Sequence, residues 1–197
     1  MSVSFYDDLN ASFDYAWQQL QQAVTDRTHG FRIIQIATLT ADDRPSIRSV
    51  VLRDVDHIEH IFRFHTDRCS HKAEELRRRE IVAAHVYDPS LKLQLRLWGH
   101  ARLHEDDAVA EQAWQEAAEM SRICYRIQPA SGSPLPDPWS TLHAVPDQAH
   151  DDPGRDRFMV VTVAVDCLEW LYLAHTGHRR ARWQNMAEGW QGEWLVP

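Results

Sequence analysis

Phe5, Leu9, Phe13, Leu20 and Val24 recur at helical spacing, and Trp17 falls on much the same side. That stripe predicts an amphipathic helix from about Ser4 to Arg27, within an N-terminal helical segment 1–30, its apolar face covering a core or a partner. Gly30 breaks the pattern. Residues 31–40 are rich in β-branched side chains and predict a strand, Ala41 to Pro45 a turn, and Ser46 to Arg53 a second strand. Asp54 to Glu59 predicts another turn and His60 to Thr66 the third strand. From Ser70 the chain predicts helix through about Arg79. Ile81 to Tyr87 and Leu91 to Leu103 predict two more strands, joined through Asp88, Pro89 and Ser90. Asp106 to Met120 predicts helix, with Val109, Ala113, Ala117 and Met120 along one side.

Residues 127–156 have no sustained period and are dominated by prolines, glycines, serines and aspartates. A loop of that length is a functional or mobile excursion. Phe158 to Val165 is a nearly continuous apolar strand, broken by Thr162 and followed by Leu168 to Leu173, and Trp190 to Pro197 alternates enough for a closing strand. About six to eight short strands with helices inserted between them predict a mainly β (α+β) domain over residues 1–197. Its architecture is an antiparallel barrel decorated by helices, not a doubly wound parallel sheet. The chain has seven glycines and no Gly-x-Gly-x-x-Gly after any strand, which sets aside a Rossmann or Walker phosphate loop.

The formal net charge of −8 argues against a sequence-independent grip on nucleic acid. No apolar run is long enough to span a bilayer, and Met1 to Asp8 lacks the basic start and apolar stretch of a secretory signal, so a cytoplasmic chain without membrane contact is expected. Arg77, Arg78 and Arg79 suit a solvated helix face. Cys69, Cys124 and Cys167 are odd in number and widely spaced, so neither a disulfide framework nor a thiolate metal site is expected. Cys69 suits a small filler residue, or a reactive thiol if nearby positive charge lowers its pKa. The pairs His57/His60 and His175/His178 have no carboxylate or cysteine set to complete a zinc shell.

Two segments carry the chemistry. Residues 48–53 alternate as a strand with one buried face, and residues 64–72 begin as a strand and end in polar residues where a helix starts. Arg48, Arg53, Thr66, Ser70, His71 and Lys72 could therefore converge on one small anionic group, since hydroxyls, an ammonium and guanidinium forks at a helix N-terminus make a phosphate site. The same residues also suit two ordinary strands whose charges face solvent.

The order Arg48-x-Val50-x-Leu52-Arg53, then Phe64-x-Thr66, Ser70-x-Lys72-Ala73, then Gln94 to Gly99, resembles the pyridoxamine 5'-phosphate oxidase family of FMN-binding split barrels. The likeness runs from Phe31 to Met120, with a weaker return between Arg157 and Pro197. It implies FMN, with Arg48 and Lys72 on the phosphate, and Thr66, Ser70 and His71 adding hydrogen bonds. Val50, Val51 and Leu52 would present backbone groups to the flavin ring edge, with Ser49, Arg53 and His65 nearby. Gln94 resembles the glutamine that reaches the flavin from the other subunit of a homodimer, and is otherwise an outward polar residue of an alternating strand.

Departures from the family pattern are specific. His71 stands where the family has arginine, and Arg53 where it has a lysine near the substrate phosphate. Anchoring the C-terminal basic cluster on Arg182, near the flavin, puts His178 and Arg180 at the substrate positions in reversed order of residue type; a basic turn between two strands is the other reading. Trp170 or Leu171 falls where the family has a tryptophan on the flavin, and Arg122, Tyr125 and Arg126 are further candidate substrate contacts. The resemblance implies oxidation of pyridoxamine or pyridoxine 5'-phosphate, or of a related small amine or alcohol. A flavin reductase-like enzyme with another substrate, and a flavin carrier or sensor without turnover, remain open.

Overall fold

The computed structural model describes residues 4–127, 129, 131–140 and 154–197. Eight strands among them form one antiparallel sheet: β1 (Ile33–Leu39), β2 (Pro45–Asp56), β3 (Ile61–Asp67), β4 (Ile81–Asp88), β5 (Leu93–His104), β6 (Phe158–Tyr172), β7 (Arg179–Met186) and β8 (Gly189–Leu195). Their order is β3-β2-β1-β4-β5-β6-β7-β8, and pairing of β3 with β6 closes the first six into a barrel. The 15-residue β6 makes this possible. Its first half pairs with β3 through Phe158 to Ala164, and its second half carries β7 as an extension beyond the barrel.

Alternation set the inward face. Leu93, Leu95 and Leu97 of β5, Phe62 and Phe64 of β3, and Ile34 and Ile36 of β1 are fully or almost fully buried. β6 has few outward polar positions because both of its neighbours and the flanking helices cover it. Gly99 answers a close approach: a Cβ there would lie 2.0 Å from the Ala164 carbonyl oxygen, at the point where the β5–β6 register shifts.

The expected first helix is divided. Phe5–Asp7 is a 3-10 turn, and α1 runs over Leu9–Thr25 because the Asp8 carboxylate accepts the Ala11 N–H at 2.8 Å and caps it. Ala16, Trp17, Leu20 and Ala23 form its buried stripe. Phe13, Trp17, His60, Trp183 and Trp190 meet there, and Trp190 Nε1 donates to His60 Nδ1 at 3.1 Å. α2 spans His71–Arg78.

Several expectations need correction. The turn placed at Asp54 to Glu59 begins later: β2 continues to Asp56, whose carboxylate accepts the Ile58 and Glu59 N–H groups at 2.9 Å each and tightens a shorter turn. The two strands expected at 158–165 and 168–173 are one. The helix expected at 106–120 is α3 (Ala108–Glu116), capped by Asp107, followed by a break and a single turn, α4 (Glu119–Arg122). Met120 is exposed, and Trp114 takes the buried place. β7 lies where sequence pattern offered only a basic cluster; Ala181 and Trp183 are its inward residues. Residues 141–153 of the 127–156 excursion lie outside the described residues. No described helix is long and apolar enough to cross a membrane.

Candidate functional site

β2, β3 and the start of α2 surround a cavity of about 650 Å³, roofed by residues from α4 onward, among them Met120, Tyr125, Gly132 and Leu135. Of the residues singled out in the sequence, Ser49, Val50, Val51, Arg53, His65, Thr66 and Lys72 line it. Ile33, Val51 and the roof supply an apolar surface for a flat ring system, and Lys72 with Thr66 supplies a polar end.

That polar end is built by the strand-to-helix junction. Thr66 and Ser70 are 4% and 3% exposed, so their hydroxyls cannot rely on water. They lie 3.2 Å apart, and Lys72 Nζ donates to Thr66 Oγ1 at 3.0 Å. Burial, then repulsion from Arg48, lowers the Lys72 pKa below its ordinary 10.5. Asp67 and Glu75 act in the opposite direction, but each already pairs with an arginine, Arg157 and Arg48, so the ammonium gains from an incoming anion. The unpaired N–H groups that open any helix add to this attraction at His71 and Lys72. His71 is exposed and faces the roof: a Cβ on Gly132 would stand 3.4 Å from its ring.

Arg48 stands behind Lys72 and does not line the cavity. Its guanidinium donates to Glu75 Oε2 at 2.7 Å, to Ser46 Oγ at 2.5 Å and to Thr38 Oγ1. Thr38 in turn donates to Glu75 at 2.5 Å. Burial pushes the Glu75 carboxyl up, but the hydrogen bonds from Thr38 and Arg48 outweigh it and hold the pKa below 4.5. Sequence reasoning missed Glu75. The available signal was its i+3 spacing from Lys72, which places both on one face of α2. Leu52, of which only the backbone is expected at the ring edge, has its side chain in the barrel core.

Arg53 owes its position to an irregularity. Leu52 pairs with Phe64 and Asp54 with Arg63, so Arg53 is the extra residue of a β-bulge. Bulges re-aim side chains beside sites, and Arg53 reaches the cavity together with Tyr125 and His65. Burial pushes the Tyr125 hydroxyl up to about 12. Burial, with Arg53 and Arg63 beside it, brings His65 down to about 3, so this ring is neutral at physiological pH.

Gln94, His178, Arg180 and Arg182 are not brought to this cavity. Gln94, Leu171 and Arg180 form one cross-strand row on the outer face of β5, β6 and β7, and Arg96, Glu169 and Arg182 form the next. Arg180 and Arg96 share Glu169 Oε1 at 2.8 and 3.1 Å, and Arg182 pairs with Glu193 at 2.6 Å. His178 is exposed in the β6–β7 turn. Trp170 is fully buried, which leaves Leu171 as the residue on the outer face.

Barrel, strand-to-helix anion cradle and apolar ring slot together define a flavin mononucleotide-binding split barrel, and comparison with known proteins agrees. Residues 14–105 match the family described as pyridoxamine 5'-phosphate oxidase, FMN-binding domain. The chain is 31% identical over 170 residues to the pyridoxine/pyridoxamine 5'-phosphate oxidase of Gluconobacter oxydans (82% of each chain). It is 30% identical over 204 residues to that of Sphingopyxis alaskensis (100% of this chain, 91% of the other). In fold it is similar to a pyridoxamine 5'-phosphate oxidase-related, FMN binding protein from Nostoc punctiforme, with TM-score 0.78 and 20% identity over 100% of both chains. PhzG from Burkholderia lata, solved with tetrahydrophenazine-1-carboxylic acid, gives TM-score 0.78 at 18% identity over 100% of this chain and 98% of that one. The chain belongs to the pyridoxamine 5'-phosphate oxidase family, and its cofactor is FMN.

Proposed function

We propose that the chain is an FMN-dependent oxidoreductase that oxidises a small amine or alcohol of the pyridoxamine or pyridoxine 5'-phosphate type. The observation that carries this is the half-buried Lys72 ammonium on Thr66, at the start of α2 and at the polar end of a cavity sized for a flat ring. Lys72, Thr66, Ser70 and the first N–H groups of α2 hold the FMN phosphate, with Arg48 as a fixed positive wall behind them. The backbone of residues 49–52 lies along the ring edge. Bound FMN supplies the hydride acceptor. The chain's own work is then to bind and orient the substrate and to place positive charge beside the ring. Arg53 and Tyr125 orient an anionic substrate from the bulge side.

The active unit is a homodimer. Gln94, His178, Arg180 and Arg182 face away from their own chain's cavity, and a two-fold partner presents that face to it. In that arrangement Arg182 supplies charge at the ring and His178 and Arg180 face the substrate. Ile47 and Ile81 are 69% and 54% exposed on the barrel exterior, and Ile47 shares a groove with Ala37, Ala83 and Trp98. Apolar exposure of that extent suits a covered face. A reducing, cytoplasmic setting accords with three free cysteines.

Purified protein tests the reading. A flavin absorption spectrum together with aldehyde formation from pyridoxine or pyridoxamine 5'-phosphate is expected. Yellow protein inert toward a panel of phosphate-ester amines and alcohols would reject the oxidase and leave a flavin reductase-like enzyme or a carrier.

A further inference from the structure

Glu169 belongs to the outer face of β6, yet it is only 7% exposed, because Arg96 and Arg180 pair with it from the two neighbouring strands. Arg180 donates to Glu169 Oε1 from Nη2 at 2.8 Å and from Nε at 3.2 Å, and Arg96 Nη1 donates to the same oxygen at 3.1 Å. Arg96 is held in turn over the Trp98 ring, 4.7 Å from its centroid. A buried carboxylate is costly unless it stays paired, so Glu169 keeps both guanidinium groups in place. The neighbouring basic residues have no such anchor: Arg182 pairs with the exposed Glu193, and His178 is exposed in the β6–β7 turn. Arg180 meets Glu169 with the stem side of its fork. Nε and one Nη2 N–H are spent there, and among the described residues nothing takes Nη1, so the end edge of the guanidinium stays open.

We propose that Glu169 is a positioning residue, which fixes Arg180 so that the open edge of its guanidinium is aimed at an anionic oxygen of the substrate. Arg96 is the brace that holds the carboxylate in line. What meets the open edge rests on the oxidase reading, in which Arg180 faces the substrate across the dimer; the anchoring of Arg180 does not. A guanidinium fixed in this way loses little rotamer freedom when the substrate arrives, and that saving is realised in substrate binding.

Steady-state kinetics with pyridoxine 5'-phosphate on Glu169→Gln, Arg180→Ala and the double variant test the proposal. Glu169→Gln should raise KM about tenfold with kcat within about twofold and flavin content unchanged, the pattern of lost uniform binding. Removing a negative charge near an anionic substrate would by itself tighten binding, so a raised KM cannot come from the field alone. In the Arg180→Ala background Glu169→Gln should have no further effect, because a residue that acts through Arg180 has nothing left to position. Glu169→Asp keeps the charge, and with it the fold, but draws the oxygen back by one methylene; it should raise KM in the same direction. Additive losses in the double variant, or an unchanged KM in both Glu169 variants, overturn the proposal. The anchoring is read separately by the Arg180 Nε–H resonance of arginine-labelled protein, assigned by its disappearance in Arg180→Ala. Its exchange with water should speed up about tenfold or more in Glu169→Gln, and unchanged exchange overturns the anchoring whatever the activity. Protein inert toward pyridoxine and pyridoxamine 5'-phosphate with Nε–H exchange that still depends on Glu169 would reject the oxidase reading and the aim at substrate, and leave the anchor.

Discussion

Arg48 and Glu75 meet at 2.7 Å across the end of the barrel, with side chains only 20% and 10% exposed. An arginine so tethered, with Thr38 and Ser46 on two further N–H groups, cannot swing toward a ligand without abandoning a buried carboxylate. It acts as a fixed wall of charge and as part of the fold. Arg48→Ala should therefore register first as lost stability, about 3–5 kcal/mol, because it leaves Glu75 buried and unpaired. Glu75→Gln should cost about 1–3 kcal/mol. The Glu75 pKa is depressed in the fold, so its contribution is complete above the unfolded value of 4.5 and is lost as pH falls through the folded pKa. Denaturation of parent and Glu75→Gln between about pH 3 and pH 7 should show the difference closing at the acid end.

Lys72 behaves in the opposite way. It lines the cavity, so Lys72→Ala should weaken FMN retention by about ten- to a hundredfold, the worth of a charge-assisted hydrogen bond, with a smaller effect on folding than Arg48→Ala. Its pKa is lowered in the flavin-free fold. FMN affinity should then fall as pH rises through that lowered value, beginning below 10.5. Over the same window the flavin-free protein should gain stability, since the unfolded chain holds the proton that the folded chain has released. Flavin fluorescence titration and denaturant melts, run at matched alkaline pH, read the two opposed slopes.

His65 gives a third pH signature. Its pKa is about 3 in the fold against 6.5 ordinarily, so unfolding takes up a proton between those values. Stability should decline as pH falls below 6.5 and level off near 3, by at most about 5 kcal/mol. His65→Gln removes the titration and keeps a polar side chain at the cavity wall. Its melting temperature should fall less steeply between pH 7 and pH 4 than the parent's; parallel curves would show that the ring is hydrated and charged.

The barrel was legible because alternation is strict where one face is wet, as in β1, β3 and β5. β7 was not, since its inward positions, Ala181 and Trp183, flank Arg182 directly after Arg179 and Arg180 and read as a basic cluster. The polar end of the cavity was legible too: Thr66, Ser70 and Lys72 lie within seven residues, and one strand-to-helix turn gathers them. The buried Arg48–Glu75 pair was not, because its two halves lie on β2 and α2, far apart in the sequence. The bulge that re-aims Arg53 exists only against β3. Spacing reports what one element brings together and is silent on what the barrel brings together.

The two halves of the proposed active centre lie on different faces of one chain, Lys72 at the cavity and Arg182 on the outer face of β7. If partners exchange these faces, each centre takes Lys72 from one protomer and Arg182 from the other. Lys72→Ala and Arg182→Ala should then each be nearly inactive alone, the first through lost flavin and the second through lost turnover with flavin kept. Unfolded together and refolded as an equal mixture, they should recover about a quarter of parent activity: half the dimers are mixed, and a mixed dimer has one centre with both residues intact. A centre built within one chain predicts no recovery, because every centre would carry a substitution. Activity of the refolded mixture, against each variant refolded alone, decides between the two arrangements.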